Sequence, residues 1–521
     1  MQPGDVPIEG PGPAPRTSRG RIVATIVLLV LAAAGLGVNY IMMQSSNVPI
    51  MRDADGQTNL FQGTVVLRLT YYLDRMKSLP RGRRGGEGAP SKFAGRFAGS
   101  SARAGAASAA RYFEKAARAF GTREPIERVH EVTPHAGPSQ HPAAPVMNPD
   151  GAAAAAASAA ALYGYLGDDW RALRTLQPLM GGERGDVLSL VARLYANQRP
   201  TPEWLNTAQF QWIVRHVPAH LLIESRLYQR LGRDDEVRRI EDEMEAVGAR
   251  AAVRVEFFMI LAVVLVLLGL VILARGLFGS RGFGPYAGLP ERPWGIWEGL
   301  ELVAAWFVLW IVLVMFATLV AAFIAPSALT QGMGWLALTY VPYAVAAFWI
   351  LVWFVVAMAP RGSGLRTIGW RPVKLSAGVA NAIGAYAAAI PIVLAMSMVA
   401  VRFFPDSPPN PVEAAMTQAH GWGARLVFLF VLCILAPVVE ETLFRGGLYG
   451  GMRKRWPLPV AALASGSMFA AVHLSGVNFI PILALGVALA MIYERTGSLA
   501  PGMIAHGVFN LSTAVVLFTL A

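Results

Sequence analysis

The sequence predicts an all-α, polytopic helical membrane protein of about nine spanning helices with an inserted soluble helical domain. Three observations carry this reading. The 521 residues are 55% hydrophobic, too apolar for a soluble chain of that length. Apolar runs of spanning length crowd residues 256–521, whereas residues 44–252 contain none. Basic loops alternate with an uncharged one, as the charge bias of membrane insertion requires.

Residues 1–21 are rich in Pro and Gly and place Arg16, Arg19 and Arg21 just before an apolar run, 22–43. They read as a disordered cytoplasmic N-terminus followed by a first spanning helix. A cleaved signal peptide using Ala32 to Ala34 is the rival reading, although the apolar stretch continues past those residues.

Residues 44–252 read as an extracytoplasmic helical domain with disordered linkers at about 80–107 and 133–151. A Leu-Tyr pair recurs at Leu162-Tyr163, Leu194-Tyr195 and Leu227-Tyr228, at spacings of 32 and 33 residues. Those spacings are close to the period of tetratricopeptide (TPR) helical hairpins, which makes the domain TPR-like, with an irregular helical domain as the alternative. His216 and His220 are four apart, as helical metal ligands would be, but Pro218 between them disfavours an unbroken helix.

The remaining apolar segments, 256–275, 300–325, 335–359, 377–401, 425–450, 458–477, 479–493 and 499–520, give an eight-helix membrane domain over 256–521. Arg275, Arg281 and Arg292, then Arg361, Arg366, Arg371 and Lys374, then Arg453, Lys454 and Arg455, all fall on one side. This puts the N-terminus inside and the C-terminus outside. The Arg-rich, Ala/Gly-rich composition hints at a GC-rich bacterial genome, and so at a bacterial inner (plasma) membrane. The net charge of +12 is spread over these loops without a basic stripe interleaved with aromatics, so no nucleic-acid partner is expected. Cys433 is the single cysteine, which rules out an intrachain disulfide and a thiolate metal site.

The chemistry concentrates in APVVEETLFRGG, Ala436 to Gly447, where Glu440, Glu441 and Arg445 interrupt an apolar segment. Each ionisable side chain near the bilayer centre costs roughly 2.5 to 3.5 kcal/mol on the mildest scale, so these groups need partners. On an α-helix Glu441 and Arg445, at i and i+4, can pair, while Glu440 points about 100° away and is left as a free carboxylate, a candidate general base. His473 lies four residues after Phe469, and His506 and Asn510 share one helical face. Counted from the cytoplasmic ends at 1.5 Å per residue, Glu440, His473 and Asn510 lie roughly 20, 24 and 18 Å deep, so Glu440, His473, His506 and Asn510 are expected to line one cavity. A carboxylate, an imidazole and a His/Asn donor pair can activate water and stabilise an oxyanion. Taken singly, either His could be an interhelical hydrogen bond, Phe469 could be packing, and the Glu-Glu-Arg cluster could be a transporter's ion site.

EETLFR, FAAVH and HGVFN resemble the motifs EExxxR, FxxxH and HxxxN of the CPBP family (CAAX proteases and bacteriocin-processing enzymes), which includes the type II CAAX prenyl endopeptidases and ABI-like immunity proteins. The resemblance covers about residues 425–515. It implies an intramembrane endopeptidase acting on a membrane-associated peptide or protein. Glu440 and His473 would activate water, and His506 and Asn510 would hold the oxyanion. Glu441, Arg445 and Phe469 would support the site. Two His and a Glu could ligate zinc, but Asn is a poor zinc ligand and a good oxyanion donor, so no cofactor is expected. A non-proteolytic scaffold or immunity-type protein of the same fold is the alternative, and a transporter a further one, although the membrane half shows no convincing repeat. The helical domain is expected to recruit substrates or a protein partner.

Overall fold

The computed structural model describes residues 22–33, 49–78, 102–121, 148–196, 198–278, 288–324, 332–358, 364–404, 412–413, 416, 421–473 and 475–520. The expected N-terminal tail, residues 34–43 of the first helix and most of both linkers lie outside them. Among the described residues the protein is helical and has no strand. The chain falls into two compact units, one of residues 1–42, 265–407 and 421–513, the other of residues 43–264, 408–420 and 514–521.

In the second unit, α2 (Pro49–Ser78), α3 (Ala102–Gly121) and α4 (Pro149–Tyr165) pack side by side. Glycines on α2 make the grooves. A Cβ on Gly56 would meet the Phe120 ring at 2.4 Å and one on Gly63 the Phe113 ring at 3.0 Å, so two aromatics seven residues apart on α3 seat against bare backbone. Residues 102–107, expected within a linker, form the first turns of α3, because the alanine run is a strong helix former with α2 and α4 to pack on. The second linker likewise ends early, since the Asn148 side chain accepts from the Gly151 N–H at 2.8 Å and starts α4.

The chain continues through α5 (Asp169–Leu176), α6 (Gly185–Tyr195), α7 (Ala208–His216) and α8 (His220–Arg230). The three Leu-Tyr pairs fall near the C-terminal ends of α4, α6 and α8, with Leu162, Leu194 and Leu227 buried, so the recurrence marks every second helix. Gly167 and Gly232 follow the first and third at φ 83° and 68°, conformations that favour glycine. His216 and His220 belong to different helices, broken around Pro218, and their Nδ1 atoms bond the carbonyls of Trp212 and Val217, both at 2.9 Å.

α9 (Asp234–Phe278) is one helix of 45 residues. The expected domain boundary between residues 252 and 256 therefore falls inside a helix, with no linker there. Its N-terminal part is charged and its C-terminal part apolar.

The first unit holds α1 (Ile22–Ala33), α10 (Ile296–Ile324), α11 (Gly332–Met358), α12 (Leu375–Phe403), α13 (Trp422–Met452), α14 (Leu458–Ala471), α15 (Gly476–Thr496) and most of α16 (Ala500–Leu520). Seven helices among the described residues are long and apolar enough to cross a membrane, against about nine expected. The two that fall short are α1, described over only part of its expected length, and α14, which stops at Ala471 instead of continuing to 477. At 14 residues α14 is about 21 Å long, less than the roughly 30 Å hydrocarbon core.

Small residues bring these helices together, as expected where lipid supplies no hydrophobic drive. A Cβ on Gly486 would lie 2.9 Å from the Gly466 Cα, so α14 and α15 touch backbone to backbone. Gly486→Ala is expected to cost about 1–3 kcal/mol by overpacking, read as a lower unfolding midpoint in detergent. A midpoint equal to wild type would contradict that packing.

Candidate active site

α13 is not a uniform α-helix. It runs as α over Trp422–Phe430, π over Val431–Leu435, α over Ala436–Glu440, π over Glu441–Tyr449 and α over Gly450–Met452. π turns inside α-helices are rare and concentrate at functional sites. Here Glu440 ends the α turn between the two π segments, and Glu441 opens the second.

The expected Glu441–Arg445 pair forms, with Arg445 Nη1 3.0 Å from Glu441 Oε1 and both side chains at most 1% exposed. The approach is a charge contact rather than an aligned hydrogen bond, since Nη1 and Nε have no hydrogen-bond partner. Arg445 is held elsewhere by Nη2, which donates to the Gly486 carbonyl at 3.2 Å, and by the Phe469 ring, whose centroid lies 4.2 Å from its Cζ.

Glu440, which spacing leaves apart from Arg445 and which is expected to share a cavity with His473, His506 and Asn510, meets two groups. Tyr343 Oη donates to its Oε1 at 3.1 Å, and His506 Nε2 lies 3.7 Å from its Oε2. The other ring nitrogen of His506, Nδ1, sits 3.1 Å from Glu441 Oε1. One imidazole thus stands between the two carboxylates. Both glutamates keep α-helical backbone angles, φ −67° and ψ −43° at Glu440 and φ −63° and ψ −36° at Glu441, so they stay about 100° apart and His506 turns one ring nitrogen toward each.

His473 lies just past the end of α14, and its Nδ1 donates to the Phe469 carbonyl at 2.8 Å. In the neutral ring, that bond puts the proton on Nδ1 and leaves Nε2 as the acceptor. His473 meets the group through Phe469, whose ring is 4.8 Å from the His473 ring and 5.7 Å from the His506 ring, both edge-on. Phe469 therefore touches both histidines and Arg445. Among the described residues no hydrogen bond or ion pair joins His473 to Glu440.

Asn510 follows His506 by four residues on α16, and its Nδ2 donates to the Leu432 carbonyl at 2.7 Å. Pro437 explains that contact. It brings no N–H, so the carbonyl that would receive one, Leu432 in the π register or Cys433 in the α register, is left over. Asn510 takes the first, and the backbone of Gly507 faces the second, where a Cβ would lie 2.4 Å from the oxygen.

Sequence reasoning missed Tyr343. The available signal was a hydroxyl on a spanning segment next to a proline, which needs a partner once buried. Tyr343 is packed edge-on against Trp306 and Trp310 at 5.3 and 5.6 Å, which fixes its direction.

Residues 422–512 match the family model described as Type II CAAX prenyl endopeptidase Rce1-like. This segment is an Rce1-like domain. It carries all three motifs, α13 to α16, whereas Tyr343 and everything upstream lie outside the match. No curated protein and no solved structure matches the chain. Among the described residues no three His, Cys, Asp or Glu side chains converge as metal ligands would.

Proposed function

We propose that the protein is an intramembrane endopeptidase that hydrolyses peptide bonds of membrane-associated peptides or proteins with a Glu-activated water. The observation that carries this reading is the asymmetry of the glutamates. Glu440 keeps 13% of its side chain exposed and faces Tyr343 and His506, while Glu441 is 1% exposed and tied to Arg445. A working base must be reachable, and a structural carboxylate must be paired.

In the proposed reaction Glu440 takes a proton from water, with His473 Nε2 accepting its other hydrogen bond. The hydroxide adds to the scissile carbonyl carbon, and the oxyanion receives N–H groups from His506 and from Asn510, whose amide retains a second N–H beyond the one on Leu432. The proton held by Glu440 then passes to the leaving nitrogen as the C–N bond breaks. Glu441, Arg445 and Phe469 hold His506 in place. The steps use protein groups and water alone. The helical residues between 44 and 252 would recruit substrate or a protein partner. A cytoplasmic N-terminus and extracytoplasmic C-terminus in a bacterial inner membrane complete the proposal.

Purified protein in vesicles is to be incubated with candidate membrane peptides, including a prenylated CAAX peptide of the class named by the matching family. Wild type should cleave at least one, and His473→Ala should not. Equal cleavage by both would sink the assignment, and undiminished cellular function in the variant would favour a scaffold. Tyr343→Phe removes one hydrogen bond to a carboxylate and should lower kcat about tenfold with KM little changed. An unaltered kcat would remove Tyr343 from the site.

A further inference from the structure

The glutamate-bearing π segment is gripped from outside the matched domain. At its lower end Gly450 N–H bonds the Arg445 carbonyl in the π register, while Arg453 N–H bonds the Tyr449 carbonyl in the α register at 2.9 Å. Between them lie the carbonyls of Gly446, Gly447 and Leu448, but only the N–H groups of Gly451 and Met452. Gly450 N–H is shared with the Gly447 carbonyl, which eases the deficit without closing it. A switch from π to α must leave a carbonyl short of a main-chain donor, and buried carbonyls need one.

The donors come from the stretch just before α10. Arg292 Nη1 donates to the Gly446 carbonyl at 3.2 Å and Trp294 Nε1 to the Gly447 carbonyl at 3.1 Å. Arg292, which by sequence counts among the basic loop residues that orient the chain, is 7% exposed, and Trp294 is 1% exposed. Arg292 is itself fixed, by Nη2 on Tyr493 Oη at 3.2 Å and Nε on the Pro290 carbonyl at 3.1 Å. The glycines of GGLYGG, Gly446 to Gly451, make this approach possible. A Cβ on Gly450 would fall 1.1 Å from Arg292 Nη1, and one on Gly451 2.3 Å from the Gly295 carbonyl oxygen.

We infer that Arg292 and Trp294 are positioning residues that lock the π register of Glu441–Tyr449 and thereby the directions of Glu440 and Glu441. Loss of the lock lets the segment relax toward the α register, a one-residue shift that turns the glutamates about 100° relative to the residues that follow. The catalytic consequence rests on the function proposed above. The lock itself does not.

The test uses the full chain in nanodiscs with Trp294→Phe, which keeps an aromatic ring but no N–H, Arg292→Lys, which keeps the charge but not the fork, and Gly450→Ala, whose new methyl evicts the guanidinium. In each, deuterium uptake of peptides covering residues 441–452 should quicken about fivefold, the scale of one hydrogen bond, with other helices unchanged. On a membrane peptide that wild type cleaves, kcat should fall about fivefold to tenfold with KM within about twofold. Combining Gly450→Ala with Arg292→Lys should add little to either alone, because both remove the same contact. Wild-type uptake at 441–452 in Trp294→Phe and Gly450→Ala would overturn the lock, as would faster uptake spread equally over α10, α14 and α15. If wild type cleaves nothing, the proposed hydrolysis fails while the exchange measurement still decides the lock.

Discussion

Glu440→Gln is expected to lower kcat for peptide hydrolysis by about a thousandfold, within the 10²–10⁴ span of a lost general base, while the protein stays folded. The amide keeps the size of the side chain and an oxygen for the Tyr343 hydroxyl, so the packing around it changes little. What disappears is the group that takes the proton from water. KM should move much less than kcat, because the loss is felt in the transition state. A variant retaining a tenth or more of wild-type kcat would show that another group is the base, and His506, between both carboxylates, would then be examined first.

Arg445→Met is expected to be among the most destabilising single changes in the Rce1-like domain. Arg445 is fully buried against Glu441, which is 1% exposed. Removing the guanidinium strands a carboxylate away from water and also strips the donor from the Gly486 carbonyl and the cation from the Phe469 ring. Breaking a buried pair from one side costs about 3–5 kcal/mol. Replacing both charges, as Glu441→Gln with Arg445→Met, should recover at least half of that loss, because no unpaired charge remains. Denaturation midpoints in mixed micelles read the difference. A single variant within about 0.5 kcal/mol of wild type would mean that the pair is not buried as described.

Much of this was legible in the sequence, for physical reasons that can be named. Charge in an apolar segment is costly, so Glu440, Glu441 and Arg445 announced themselves, and i,i+4 spacing identified the Glu441–Arg445 pair that forms. The all-α membrane class followed from apolar segment length. Glu440 near His506 was expected from their depths, but Glu441 on the other ring nitrogen of His506 was not, and neither was the π register, because spacing arguments assume 3.6 residues per turn and α13 departs from it twice. The Asn510 contact depends on that register as well, since Pro437 orphans a different carbonyl in each. Tyr343 and Arg292 lie about 100 to 150 positions before the partners they meet, a separation no local pattern encodes. Arg292 also illustrates a limit of charge counting, for an Arg near a helix end can serve the backbone of a neighbouring helix as well as orient the chain.

Cleavage in oxygen-18 water tests the central claim most directly. Wild-type protein, Glu440→Gln and His473→Ala are placed in vesicles with the membrane peptide that wild type cleaves, and the products are weighed. Water-driven hydrolysis at this site predicts a new carboxyl terminus carrying oxygen-18 with wild type, and no new terminus above background with either variant. The same labelled products from all three proteins would contradict it.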